Sequence, residues 1–318
     1  MIARQPMVAG IDVSKATLDI VILPSGKRLM AGNHPDGINR LTCQLREAQV
    51  AKVVLEATGG LEYPCARAIA DAGITVSRVN PERIFGFRKS LGRRAKTDLL
   101  DAELMARFAL VMDEATRPLP SIEAQNLKDL AARRRQIVEM IAMEKNRLKR
   151  SVDPSLTQSV KTIIAALSAE RARLEKLIQQ AISAEPEARR RYNILISIPG
   201  FGPVVATTLV TDMPELGQVD RRAVASLAGV APHPEQSGTS LNRTNLHSGR
   251  PCVRTALYMA ALAAARANPE MKAFKAQLVA NGKAPKQAII AVARKLITLA
   301  NQLVRENRNW APKDQLAT

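Results

Sequence analysis

The chain has 318 residues, 46% apolar and 3% aromatic, with 47 basic against 29 acidic side chains and a formal net charge of +18. Such a length holds two or three domains with a sizeable core, and the charge excess calls for a polyanion, nucleic acid first. So few aromatic rings exclude base stacking as the main source of affinity and leave that role to lysine and arginine on phosphate.

Residues 7–13 form one apolar run, residues 17–23 a second after a short turn, and residues 27–32 a weaker third; all three are expected strands. A helix is expected over Gly37–Ala48, a buried strand over Lys52–Ala57, a helix over Leu61–Ala72 closed by Gly73, and a strand over Ile74–Asn80. Helical segments follow over Pro81–Leu91 and Asp98–Met112. The order βββαβαβα predicts an α/β domain over residues 1–120, a mixed sheet with helices on its faces.

Residues 121–190 change character. Leu127, Leu130, Ile137, Ile141 and Leu148 mark one apolar stripe, and Ile163, Leu167, Leu174 and Ile178 another, with Asp153-Pro154 breaking the pattern between them. This predicts a coiled-coil hairpin of two long antiparallel helices, a candidate subunit contact. Its basic clusters, Ala132–Gln136 and Lys145–Arg150, are candidate phosphate contacts. Residues 191–318 are expected to be all-α. There Pro199-Gly200-Phe201-Gly202 joins two apolar helical segments, a pattern like the helix-hairpin-helix that binds DNA backbone. A loop rich in glycine, serine, threonine and arginine spans Gly229–Pro251, with Arg243, Arg250 and Arg254 candidate phosphate contacts by charge and place, and helices over Cys252–Ala267, Met271–Ala280 and Ala284–Arg305 close the chain.

The positive charge is distributed: 17 basic and 13 acidic residues lie in 1–120, 15 and 9 in 121–191, and 15 and 7 in 192–318. A long duplex or a folded RNA suits that distribution better than one compact ligand. Cys43, Cys65 and Cys252 form no CxxC pair and read as thiols in a reducing compartment. No targeting segment is evident, and the longest apolar run is too short to span a bilayer, so a cytoplasmic protein with no membrane partner is expected.

Against this basic background four acids stand out. Asp12 lies in an apolar strand between Ile11 and Val13, where a carboxylate is costly unless it meets a cation or a paired donor. Glu56 ends the other strongly apolar strand. Asp98 and Asp101 stand three apart at a helix start, on one face; helix capping alone explains such a pair. If the two strands are neighbours and this helix packs across their edge, all four converge. Hard oxygen ligands in a basic protein imply Mg²⁺ or Mn²⁺ and phosphoryl transfer.

The stretches Gly10–Ile20, Glu56–Gly60 and Ala95–Ala106, in that order, resemble the three motifs of DEDD-type insertion-sequence transposases, the bridge-RNA-guided recombinases. Ile196–Met213, Ser226–Ser240 and Leu246–Ala264 resemble the same family's C-terminal half, so the likeness spans nearly the whole chain. The resemblance implies a RuvC-like N-terminal domain whose metal-binding tetrad is Asp12, Glu56, Asp98 and Asp101. It implies that Ser237, before glycine in the family's serine loop, attacks DNA and forms a covalent phosphoserine. It further implies a structured guide RNA that pairs with donor and target DNA. The protein would act as a dimer or tetramer in which Ser237 of one subunit completes the metal site of another. The residues alone do not choose Ser237 over Thr239, Ser240 or Ser248. A serine with no adjacent base does need help to ionise, which is a reason to bring it to metal-binding acids.

Three other classes compete. An RNase H-like nuclease of the junction-resolvase type would use the same acids, two metals and water, without a covalent serine. An actin-like sugar kinase also opens on Gly10-Ile11-Asp12 at a first strand, but the Gly-rich phosphate loops it needs are not evident. A non-enzymatic nucleic-acid binder explains the charge and leaves Asp12 unexplained.

Overall fold

The computed structural model describes residues 6–92, 98–112, 119–235, 243–245 and 249–312. Two compact units divide the chain, Met1–Pro120 and Ser121–Thr318.

The first unit runs β1 (Val8–Val13), β2 (Thr17–Leu23), β3 (Lys27–Gly32), α1 (Pro35–Glu47), β4 (Lys52–Glu56), α2 (Tyr63–Asp71), β5 (Thr75–Val79), α3 (Pro81–Ser90) and α4 (Asp98–Val111). These strands form one mixed sheet in the order β3-β2-β1-β4-β5. β2 is antiparallel to both β1 and β3, while β1, β4 and β5 are parallel. The apolar runs of β1 and β4 are therefore central strands covered on both faces, as unbroken hydrophobicity requires. β3 is an edge strand; Lys27 and Arg28 face solvent and discourage pairing with another chain.

Alternation along β1 divides the core. Ala9, Ile11 and Val13 pack with Ile38, Leu41 and Leu45 of α1 and with Cys65 and Ile69 of α2. Val8, on the opposite face, packs with Leu104, Met105 and Phe108 of α4. Between those contacts Gly10 lets the α4 backbone come very close. A Cβ at position 10 would stand 2.1 Å from the Ala102 carbonyl oxygen and 2.3 Å from the Ala106 nitrogen.

The second unit begins with α5 (Ile122–Leu148) and α6 (Pro154–Ala184), a helical hairpin. Leu127 packs with Ile178 and Ile182, and Ile137 and Ile141 with Leu174, so the helices are antiparallel. The Asp153 carboxylate accepts a hydrogen bond from the Leu156 N–H (2.9 Å), and Pro154 starts the second helix. The apolar seam extends past these contacts to Val160 near the hairpin's tip, which is buried, whereas Ile163, expected in the seam, is exposed.

α7 (Pro186–Ile196), α8 (Pro203–Asp212), α9 (Arg221–Leu227), β6 (His233–Glu235), β7 (Arg243–Asn245), α10 (Pro251–Ala267), α11 (Pro269–Ala280) and α12 (Pro285–Arg305) complete the unit. Small residues of α10, among them Ala260, Ala261 and Ala264, meet Ala206 and Leu209 of α8 and Val292, Leu296 and Ala300 of α12. Gly200 sits at φ +97, and a Cβ there would lie 2.7 Å from that of Ala264. The glycine is thus required by packing within the unit. The region expected to be a plain loop holds a short antiparallel ladder, β6 with β7.

Candidate functional site

Asp12 is the penultimate residue of β1 and Glu56 the last of β4. The parallel register pairs Gly10 with Val54 and Ile11 with Leu55, so the next step sets Asp12 beside Glu56. Side chains alternate faces along a strand, so Asp12 follows Gly10, and Glu56 follows Val54, onto the face that α4 covers. That helix runs antiparallel to β1: Val8 packs near Phe108, and Gly10 meets Ala102 and Ala106. Its first turn, with Asp98 and Asp101, therefore lies toward the carboxyl ends of β1 and β4.

Asp101 is nearly buried, with 7% of its surface exposed. Its carboxylate pairs with the Arg88 guanidinium from α3 at 2.5 Å. Asp98 is the first residue of α4, and its side chain is outside the described set. Among the described residues, no three His, Cys, Asp or Glu side chains form a group able to hold a metal ion. The backbone gathers the acids at one end of the sheet, while the charge on Asp101 is balanced by Arg88. Carboxylate oxygens, here on two adjacent strands and one helix start, are the hard donors that suit a divalent cation.

Sequence reasoning missed a second acid, Glu62, which is fully buried. Its Oε2 accepts hydrogen bonds from the Thr58 N–H and hydroxyl (both 3.2 Å) and from the Gly60 N–H (2.8 Å). Its Oε1 accepts from Arg78 Nε at 3.1 Å and Nη2 at 2.5 Å. Arg78 also donates to the Tyr63 hydroxyl (2.8 Å) and lies 4.0 Å over that ring. Burial pushes the Glu62 carboxyl upward, but backbone N–H donors and the Arg78 charge outweigh it and hold it below the usual carboxylate range. This carboxylate thereby fixes the turn after Glu56, where Gly59 and Gly60 take φ +74 and +115. Asn33 ties that turn to the one after β1, donating to the Ser14 carbonyl (2.8 Å) and the Leu61 carbonyl (3.4 Å). The loops leaving both acid-bearing strands are braced together. Glu62 stands six residues after Glu56 in the sequence, but neither its burial nor its partner on β5 is legible there.

Ser237 lies outside the described residues, as do Thr239, Ser240, His247 and Ser248. The base from which that segment departs is well defined. The Arg250 N–H donates to the Leu227 carbonyl at 3.0 Å. A Cβ on Gly249 would lie 2.3 Å from the Gly229 nitrogen, so the two ends touch through glycine. Arg250 grips both Glu215 carboxylate oxygens (2.7 and 2.8 Å) and the Asp212 carbonyl (2.7 Å). Arg254 Nε donates to the Gly229 carbonyl at 2.9 Å. These two arginines, which sequence position suggested for phosphate, brace the loop's base. In the hairpin's first basic cluster, Arg134 likewise pairs with Glu175 (2.7 Å) and Arg135 with Asp212 (2.8 Å).

Comparison with known proteins accounts for both halves. Residues 9–157 match the transposase model of the DEDD-type IS110 group. Residues 192–276 match the model described as Transposase IS116/IS110/IS902 family. The chain belongs to the IS110 family of transposases. Two relatives are pilin gene-inverting proteins, from Moraxella bovis and Moraxella lacunata; each is 29% identical over 94% of this chain and 96% of its own. A third, an uncharacterized 42 kDa protein of insertion element IS900 from Mycobacterium paratuberculosis, is 27% identical over 58% of this chain and 48% of its own. An IS110-family transposase is a DNA transposase or recombinase, and DNA is its substrate. Among the described residues of this IS110-family chain, no helix is long and apolar enough to cross a membrane.

Proposed function

We propose that this transposase cuts and rejoins DNA strands at a site composed of Asp12, Glu56, Asp98, Asp101 and Ser237. The observation that supports the reading is the register of β1 on β4, Gly10 with Val54 and Ile11 with Leu55, which carried one residue further brings Asp12 and Glu56 together at the end of the sheet toward which α4 begins. Strand order β3-β2-β1-β4-β5, with the first three antiparallel, supports a RuvC-like assignment for residues 1–120. Residues 121–190 are then the coiled-coil hairpin, and 191–318 the helical domain with the helix-hairpin-helix and serine loop. The four carboxylates would hold Mg²⁺ or Mn²⁺, which would supply positive charge to the phosphate under attack.

In this reading the Ser237 oxygen bonds to the phosphorus of a DNA phosphodiester, and the bond to a deoxyribose oxygen breaks. The serine proton leaves and the freed deoxyribose oxygen gains one. One ester replaces another, so rejoining by the reverse step consumes no nucleoside triphosphate. The relatives' name, gene-inverting, supports rejoined ends over the free cuts of a water-using nuclease. A structured guide RNA selects the sites, as the net charge of +18 accommodates, and subunits of a homo-oligomer share serine and acids.

Ser237→Ala is expected to keep DNA binding and to lose a covalent protein–DNA adduct on denaturing gels. Asp12→Asn is expected to lose cleavage with binding retained, and chelation by EDTA to do the same. Mass spectrometry locating the adduct on Ser240 or Ser248 would overturn the serine assignment. Cleavage with no adduct would establish the nuclease alternative, and full activity in EDTA would remove the metal.

A further inference from the structure

Helix α3 carries an outward face unlike an ordinary solvated one. Glu82, Phe85, Gly86 and Lys89 recur at i, i+3, i+4 and i+7 and are all exposed, while Ile84, Phe87 and Arg88 turn inward. Of the chain's five phenylalanines, three tyrosines and one tryptophan, Phe85 alone is exposed, at 55%. The Lys89 ammonium lies 4.6 Å above its ring. Beside it stands Gly86, with no atom within 4 Å of where a Cβ would go. A glycine inside a helix costs about 1 kcal/mol relative to alanine, and among the described residues no contact requires this one. What it leaves is an open flat beside an exposed ring and a cation.

Charge says what fits there. Glu82 is the one acid of this face at its start; from there to Gly92 the charged side chains are the cations Arg83, Arg88 and Lys89, with Arg88 turned inward onto Asp101. The same helix reaches the acidic centre on its inner side, through Arg88 on Asp101 (2.5 Å) and Phe87 edge-on to Phe108 of α4 (centroids 5.3 Å apart).

We infer that the outward face of α3 is a docking platform for single-stranded DNA, with an unpaired base stacked on Phe85, the sugar-phosphate chain passing over Gly86, and Lys89 on a phosphate. An aromatic face accepts any base, so the contact is independent of sequence. It holds the strand next to the carboxylates after the duplex has opened. The inference rests on the proposed DNA chemistry only for the choice of strand. Binding is measured without divalent metal or cleavage, so loss of the catalytic reading leaves this test intact.

The test is equilibrium binding of the full chain to fluorescein-labelled oligothymidylate, an abasic strand of equal length, a duplex, and oligouridylate. Phe85→Ala is expected to weaken oligothymidylate binding about ten-fold, one base–aromatic stack, and to leave the abasic strand unchanged. Phe85→Trp is expected to retain affinity and to lose tryptophan emission on oligothymidylate. Lys89→Gln is expected to weaken both strands alike and to reduce the salt slope by about one. Equal loss on the abasic strand, no loss on either, or loss confined to oligouridylate would each overturn the proposal. So would a lower oligomeric mass of Phe85→Ala with DNA binding unchanged, which would assign the face to a second copy of the chain.

Discussion

Gly10→Ala isolates the contact that sets the acids' spacing. The added methyl would start 2.1 Å from the Ala102 carbonyl and 2.3 Å from the Ala106 nitrogen, both backbone atoms of α4 that no rotamer change can move. Ordinary contact begins near 3.4 Å, so the helix must withdraw from β1 by about 1 Å, a strain of about 1–3 kcal/mol from overpacking. Withdrawal carries Asp98 and Asp101 away from Asp12 and Glu56. A misplacement of about 1 Å is enough to cost about a hundred-fold in rate. Urea unfolding followed by circular dichroism is expected to show a lower midpoint with an unchanged slope. DNA cleavage at a temperature where the variant is fully folded is expected to drop about a hundred-fold, with DNA binding near that of the parent. Wild-type stability together with wild-type cleavage would refute the idea that α4 needs the bare backbone at Gly10.

Three further outcomes follow from other contacts. Glu62 has a lowered carboxyl pKa, so its stabilisation is present above the unfolded value of 4.5 and disappears as pH falls toward the folded one. Urea midpoints through that acid range should fall more steeply for the parent than for Glu62→Gln, which should also be destabilised at neutral pH by about 3 kcal/mol, the cost of leaving Arg78 beside an uncharged partner; parallel acid profiles would exclude Glu62 as the source. Cys65 is buried and its thiol pushed up to about 12, whereas Cys43 is exposed, so brief iodoacetamide treatment should label Cys43 and spare Cys65, as peptide mapping would show. Arg250→Lys should fail to restore what Arg250→Met loses, because a single ammonium cannot bridge both Glu215 oxygens, and amide exchange at the Arg250 N–H should quicken in both variants.

Much of the first unit was legible because its signals are local. β1, β2, β4 and β5 announce themselves as apolar runs between turn residues, and Asp98 with Asp101 marks a helix start without any tertiary knowledge. β3 was fainter because an edge strand alternates with solvent and carries Lys27 and Arg28. Glu62 on Arg78, Asn33 across two turns and Arg88 on Asp101 were not legible, since each joins positions whose proximity only the sheet order and helix packing create. The same limit hid the partners of Arg250 and Arg254. Their charge and place suggested phosphate, but Glu215 and the Gly229 carbonyl claim them. β6 and β7 are three residues each, too short for periodicity to register.

The junction of Gly229 with Gly249 has an evolutionary side. Because the chain enters and leaves the serine loop through one closed clasp, the strain of a longer or shorter tip between Glu235 and Arg243 stops at the β6–β7 ladder. Doubling such a segment costs only about 0.6 kcal/mol in closure entropy. The second unit's helices are thereby insulated from changes in the length of that segment. Variants of this chain with a longer or shorter tip are expected to keep the clasp, and grafting another tip onto this base is the corresponding engineering route.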